Sequence, residues 1–261
     1  MQFSIIVVCL NAGDKLRQTV DSILAQFYTD YQIIVKDGGS TDGSLEKLPA
    51  DERIVLYAQK DSGIYDAMNQ AVQKAQGAYI IFMNCGDTFY DEKVLEKAAA
   101  CAARETGEQP LVLYGDTYGA KNKVLIASPK QIDGSACYRN IPCHQSCFYA
   151  AQLCKEKPYD TRYRIRADYD HFLWCYYRAH ARMVYLGTVV ASYEGGGYSE
   201  NKENKRRDKE EHDLITQEYM SAEELKRYRS MMLLTLAPLR TFLAENKLTA
   251  GVYHWLKARI S

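Results

Sequence analysis

Residues 80–90 read "IIFMNCGDTFY", an apolar run that stops abruptly at Asn84-Cys85-Gly86-Asp87. Tyr79-Ile80-Ile81-Phe82-Met83 is hydrophobic on both faces, the pattern of a central strand in a parallel sheet covered on both sides. In open α/β sheets, ligands gather just beyond the carboxyl ends of such strands. Asp87 is therefore placed where a cation or a charged substrate is handled. A plainer role is also open to it, as part of a turn ahead of a helix that starts near Asp91.

Outward from this stretch the chain repeats one grammar. Ser4 to Leu10 is a β-branched strand ending at Asn11. Leu16, Val20, Ile23, Leu24 and Phe27 then recur at helical spacing from Asp14. "QIIVK" (32–36) and Ile54–Tyr57 give two more strands, separated by the turn-rich "DGGSTDGS". "DSGIYDAMNQAVQKAQGA" reads as a helix closed by Gly77, followed by the opening strand, a helix from about Asp91 to Arg104, and a strand at 111–114. Alternation of this kind predicts βαβ units and a mainly parallel sheet flanked by helices. Beyond Gly115 the regularity loosens. "RIRADYDHFLWCYYRAH" reads as a helix, "ARMVYLGTVVASY" as paired strands, and 194–213 as a polar, glycine-led segment with basic residues at Lys205-Arg206-Arg207. The last fifty or so residues read as helical, with a capping box at Ser221–Glu224 and a final helix carrying Val252, Trp255 and Leu256.

Composition narrows the function classes. In 261 residues, 47% are hydrophobic and 25% charged, ordinary for a soluble globular protein, and the formal net charge is zero. There is no global basic field to favour nucleic acid as a partner. The amino-terminal apolar stretch is too short for a signal peptide, and no segment approaches the ~18 apolar residues of a membrane span. A cytoplasmic protein is expected. The eight cysteines then read as free thiols serving mostly as small core residues. A structural zinc at Cys137, Cys143, His144, Cys147 and Cys154 is the weaker alternative, because the spacing lacks a paired C-x₂-C.

Four segments in order, "SIIVVCLNAGDKLRQTVDSILAQ", "IIVKDGGSTDGS", "DSGIYDAMNQAVQKAQGAYIIFMNCGD" and "RADYDHFLW", resemble a family 2 glycosyltransferase of GT-A fold. Each segment is weak alone, but their order and spacing are specific. The resemblance spans about residues 3 to 195; the tail after about 215 lies outside it. It implies a Rossmann-like GT-A domain over 1–213, divided into a nucleotide-sugar half (1–115) and an acceptor half (116–213), with a helical extension over 214–261. It also implies inverting transfer of a sugar from a nucleotide diphosphate sugar, UDP-linked by preference, to a hydroxyl on a saccharide or lipid-linked saccharide in cell-surface polysaccharide or glycolipid synthesis.

Site roles follow from the resemblance residue by residue. Asn11, Asp37, Gly38, Asp61, Asn69 and Asn84 fall at the nucleotide-sugar site, with Asp37 matching the aspartate that reads the base. Asp87, with His144 as a second candidate, is expected to hold a divalent metal, Mn or Mg, on the donor diphosphate. Asn84 and Gly86 stand where relatives commonly carry acidic residues, so the motif is reduced. Asp168 aligns with the catalytic base and Asp170 is second, although two residues apart they face different ways. Two readings are open for Lys205-Arg206-Arg207, a fold over the diphosphate or a solvated loop, and two for the C-terminal helices, contact with a membrane surface or packing on the domain. Two other classes stay open: a nucleotidyltransferase on a GT-A-like sheet, and a nucleotide-binding module without catalysis.

Overall fold

The structure, a computed structural model, describes residues 1–139, 141–195 and 202–235. The expected terminal helix with Val252, Trp255 and Leu256 lies outside the described residues. Strands β1 (Phe3–Cys9), β2 (Tyr31–Asp37), β3 (Ile54–Ala58) and β4 (Tyr79–Asn84) lie in the order β3-β2-β1-β4, all parallel. Every residue of β1 and β2 is buried, because helices cover both faces and leave no side for water. Carboxyl ends in this half point the same way, so the loops after Cys9, Asp37, Ala58 and Asn84 share one edge.

Beyond β4 the sheet becomes mixed. β5 (Thr88–Phe89), β6 (Leu111–Gly119), β7 (Val124–Ile126), β8 (Cys147–Ala150) and β9 (Arg182–Tyr193) extend it to nine strands, in the order β4-β8-β6-β9-β5 with β7 beside β6. β6 runs through residue 115, so the stretches before and after that position share one sheet. The segment read as paired strands is instead the single strand β9, parallel to β6. A register shift, with Gly187 at φ 66°, absorbs the irregularity that looked like a turn.

Helices α1 (Asp14–Leu24), α2 (Ile64–Val72), α3 (Val94–Ala102), α4 (Gly134–Arg139), α5 (Ala151–Glu156) and α6 (Ala167–Tyr177) fill in the connections. α1 buries Leu16, Thr19, Val20 and Ile23 but stops before Phe27, which is exposed because its N–H leaves the helix for the Glu92 carbonyl. Gly77 does not close α2, which ends at Val72. Its N–H donates to Ser4 Oγ, and a Cβ there would meet the Phe3 carbonyl carbon at 2.4 Å. Glycine is required by that approach of chain to chain rather than by a helix end.

The polar segment expected over 194–213 is mostly helix. α7 (Lys202–Tyr219) carries Lys205, Arg206 and Arg207 on its exposed side, with Arg206 paired to Glu210 one turn on. Its inward stripe is Asn204, Asp208, Glu211 and Ile215, helical spacing written mainly in polar residues. A hydrophobicity pattern cannot see such a face. The chain divides into compact units at Ile215/Thr216, inside α7. In the second unit α8 (Ala222–Leu234) starts at the expected capping box, Ser221 and Glu224 bonding reciprocally. No helix among the described residues is long and apolar enough to cross a membrane.

Candidate active site

The loops at the carboxyl edge of the parallel strands form one wall. Asn11, at φ 50°, accepts from Thr41 N–H at 2.9 Å through Oδ1, and its own N–H donates to Ser40 Oγ at 2.8 Å. It therefore ties the β1 loop to the β2 loop and does not cap α1. Asp37 accepts from Gly39 N–H at 2.8 Å and Ser40 N–H at 3.0 Å, and also from the Ser40 hydroxyl. With 2% of its surface exposed, Asp37 shapes the loop that follows β2. A Cβ on Gly38 would lie 2.8 Å from Asp61 Oδ2, so the missing side chain is the space Asp61 occupies. Behind Asp61, Lys36 is fully buried, its ammonium satisfied by Asp61 at 2.8 Å and the carbonyls of Asp37 and Gln59. Lys36 passed in the sequence as the end of a strand; a lysine directly after Ile33-Ile34-Val35 was its only signal.

Asn69 does not join this wall. Its amide donates to the Tyr159 carbonyl and accepts from the Tyr159 N–H, both at 2.8 Å, and so ties α2 to the segment before α6. The Asp66 carboxylate accepts from Ser62 N–H in the first turn of α2.

The turn after β4 is stitched to α1 by Thr19, whose hydroxyl donates to the Asp87 carbonyl and accepts from Gly86 N–H. Asp87 is 2% exposed, and both carboxylate oxygens are taken: Oδ2 by the Gln145 amide and Oδ1 by the Glu194 N–H, each at 3.0 Å. Burial pushes its pKa above the ordinary carboxylate value, against those two hydrogen bonds. Asp87 thus locks three segments together. His144, the second metal candidate, faces Asn84 and Asp168 instead. Among the described residues no group of three or more His, Cys, Asp or Glu could hold a metal ion. By themselves these side chains form no cage for a divalent ion, which would need the donor's phosphate oxygens as further ligands. The eight cysteines carry free thiols.

Opposite this wall stands Asp168, in the first turn of α6 and a quarter exposed. The Tyr65 hydroxyl lies 3.0 Å from Oδ1, sharing its proton with the Ile165 carbonyl at 2.6 Å. His144 Nδ1 lies 3.4 Å from Oδ2. Asn84 Nδ2 is 3.2 Å from His144 Nε2, so the ring bridges the end of β4 and Asp168. Burial works to raise the Asp168 pKa, but His144 and then Tyr65 overcome it and hold the carboxylate below its ordinary range. At neutral pH Asp168 is an ionised, accessible proton acceptor linked through His144 to the end of β4.

Asp170 has a different environment. About 200° further round the helix, it is buried and paired to Lys157 at 2.9 Å, away from Asp168. The approach to α6 is held by Glu211 of α7. Its carboxylate accepts from the N–H groups of Arg164, Ile165 and Arg166, all at 2.9 Å, while Arg166 also reaches Asp208. Neither Glu211 nor Tyr65 was singled out from sequence. Tyr65 also lines a cavity of about 500 Å³ with Ile64, Asp66, Tyr163 and Arg164.

Comparison with known proteins bears on this geometry. Residues 4–119 match the model of Glycosyl transferase family 2. The PGL/p-HBAD biosynthesis glycosyltransferase of Mycobacterium bovis is 34% identical over 204 residues, covering 76% of this chain and 78% of that one. The crystal structure of S. aureus TarS 1–349 in complex with UDP superposes with a TM-score of 0.68 at 17% identity, over 95% of this chain and 76% of that one. A second structure of that fragment is spanned over 60% of its length. The mannosyltransferase PcManGT from Pyrobaculum calidifontis, in complex with GDP-Man and Mn2+, gives 0.63 at 16% identity, over 99% of this chain and 80% of that one. The chain belongs to glycosyl transferase family 2, is a glycosyltransferase, and has the GT-A fold of these structures.

Proposed function

We propose that this glycosyltransferase moves a sugar, with inversion, from a nucleoside diphosphate sugar to a hydroxyl of a saccharide or lipid-linked acceptor, with Asp168 as the base. The observation that carries the reading is the placement of Asp168. It is ionised, partly open, hydrogen-bonded by Tyr65 at one oxygen and approached by His144 at the other, next to the end of β4.

The chemistry needs little else from the chain. The acceptor oxygen attacks the anomeric carbon from the side opposite the departing diphosphate, and its proton passes to Asp168 as the new bond forms. A positioned base of this kind contributes about 10² to 10⁴ in rate. Tyr65 and His144 keep the carboxylate in one orientation, and the ring of His144 ties that orientation to Asn84 beside the donor. The cavity beside Tyr65, with Ile64, Tyr163 and Arg164 in its walls, suits the body of the acceptor. A uridine donor is supported by the UDP complex of TarS, and a biosynthetic role in glycolipid or cell-surface polysaccharide synthesis by the relative named for PGL/p-HBAD biosynthesis. Exposed Met231, Leu233 and Leu234 near the end of α8 support contact with a membrane surface, with the domain ending near the start of that extension.

Purified protein incubated with a panel of UDP- and GDP-sugars should release free nucleoside diphosphate slowly by hydrolysis, and faster with a matching acceptor. Pyrophosphate release from a nucleoside triphosphate plus sugar phosphate, with no diphosphate from any sugar donor, would overturn the reading.

A further inference from the structure

The turn after β4 lacks a side chain at Gly86, and the space is filled from elsewhere. A Cβ built on Gly86 would lie 2.4 Å from Glu194 Oε2 and 3.4 Å from Lys15 Cδ. Lys15 Nζ and Glu194 Oε2 are 2.7 Å apart. Two charged side chains, one from the first turn of α1 and one from just past β9, therefore meet directly over the end of β4. This is the edge where the sheet presents its ligand. The backbone of the same segment is already committed, since Glu194 N–H donates to Asp87.

The pair is 54% and 43% exposed, so solvent screens it and it contributes little to holding the fold together. Such a pair exchanges partners readily when a more highly charged anion arrives. A diphosphate offers Lys15 more negative charge than one carboxylate does, and ammonium-to-phosphate hydrogen bonds are among the stronger ones. Asp87 and His144, meanwhile, are both engaged and present no cation cage.

We propose that the Lys15 ammonium, rather than a protein-held divalent ion, neutralises the diphosphate of the donor, and that Glu194 occupies Lys15 until the donor displaces it. The proposal rests on the transferase reading above. During transfer the bond between the anomeric carbon and the β-phosphate oxygen breaks, and its electron pair stays on that oxygen. Lys15 donates hydrogen bonds to the diphosphate as this charge grows and keeps its own protons. Glu194, released, turns to solvent. The carboxylate thus acts as an internal mimic of the ligand, and its removal should favour binding.

Titration calorimetry with UDP and with GDP tests this, in excess EDTA and in Mn2+, on the full chain and on Lys15→Ala, Lys15→Arg and Glu194→Gln. The wild type should bind one of the two nucleotides in EDTA within about threefold of its affinity in Mn2+. Lys15→Ala should weaken binding in EDTA by about tenfold or more, Lys15→Arg should restore most of it, and Glu194→Gln should tighten it by about threefold. Melting curves confirm folding of each variant. Loss of wild-type binding in EDTA, with Lys15→Ala neutral in Mn2+, overturns the proposal and leaves the transferase reading standing. Loss of Mn2+-supported binding in Glu194→Gln does the same, by making Glu194 a metal ligand. Absence of nucleotide binding under every condition overturns both.

Discussion

Replacing Glu211 by Gln removes one charge and one acceptor from a side chain 6% exposed, with little change in size. In the wild type Oε1 accepts from Arg164 N–H and Oε2 from Ile165 and Arg166 N–H, all at 2.9 Å. A glutamine oxygen can keep the pair at one position, but its NH₂ then faces the Arg164 N–H, donor against donor. Two charge-assisted bonds become neutral ones, a loss of about 1 kcal/mol each, and one buried donor is stranded at about 1–3 kcal/mol. Water at the rim of this half-buried loop recovers part, leaving roughly 3 kcal/mol. For a chain of this size that is a fall of roughly 6–12 °C in Tm. The same loop sets the start of α6, and the Ile165 carbonyl shares the Tyr65 proton with Asp168. A shift of about 1 Å in a catalytic group can cost about 10² in rate, so kcat should fall roughly 10- to 100-fold. Differential scanning fluorimetry and steady-state kinetics read both, with Glu210→Gln, on the exposed side of α7, as the control. An unchanged Tm together with an unchanged kcat would refute the clamp.

The remaining expectations need less argument. Asp168→Asn should lower kcat by roughly two to four decades with nucleotide affinity nearly intact, whereas Asp170→Asn should lower Tm by exposing Lys157 to a weaker partner and leave kcat close to wild type; a reversed result makes Asp170 the base. Because the folded pKa of Asp168 is depressed, its stabilising contribution is present above the ordinary carboxylate value of 3.8 and fades only as pH falls through the lower folded value. The acidic limb of kcat/KM should accordingly lie below that value, and His144→Ala, which leaves burial in place but removes the largest opposing contact, should move it upward; a limb that stays put removes His144 from the site. Gly77→Ala should destabilise by roughly 1–3 kcal/mol, since its methyl would meet backbone that cannot rotate away, and denaturant melts with an unchanged midpoint would show that β1 can yield.

Much of the molecule was decided by local chemistry that a sequence displays openly. β1, β2 and β4 each carry an apolar run because they are covered on both faces, and that pattern needs no partner to be recognised. The turn residues after each of these strands mark the shared edge, so Asn11, Asp37, Asp61, Asn84 and Asp87 were all brought near the place expected. The base candidate was likewise legible, as a carboxylate opening a helix.

What each side chain does there was settled by partners far along the chain. Asp37 and Asp87 read as ligands because a carboxylate advertises charge; in the folded chain they also accept hydrogen bonds from Ser40, and from Gln145 and Glu194, which fasten separate loops together. Asp168 and Asp170 are equivalent as letters; Tyr65 and His144 stand beside the one, which stays partly open, and Lys157 pairs with the other, which is buried. Glu211 and Lys15 were silent for the opposite reason. A polar residue that satisfies backbone or crosses a sheet edge leaves no hydrophobic period behind, and only the folded chain reveals what stands within hydrogen-bond reach of it.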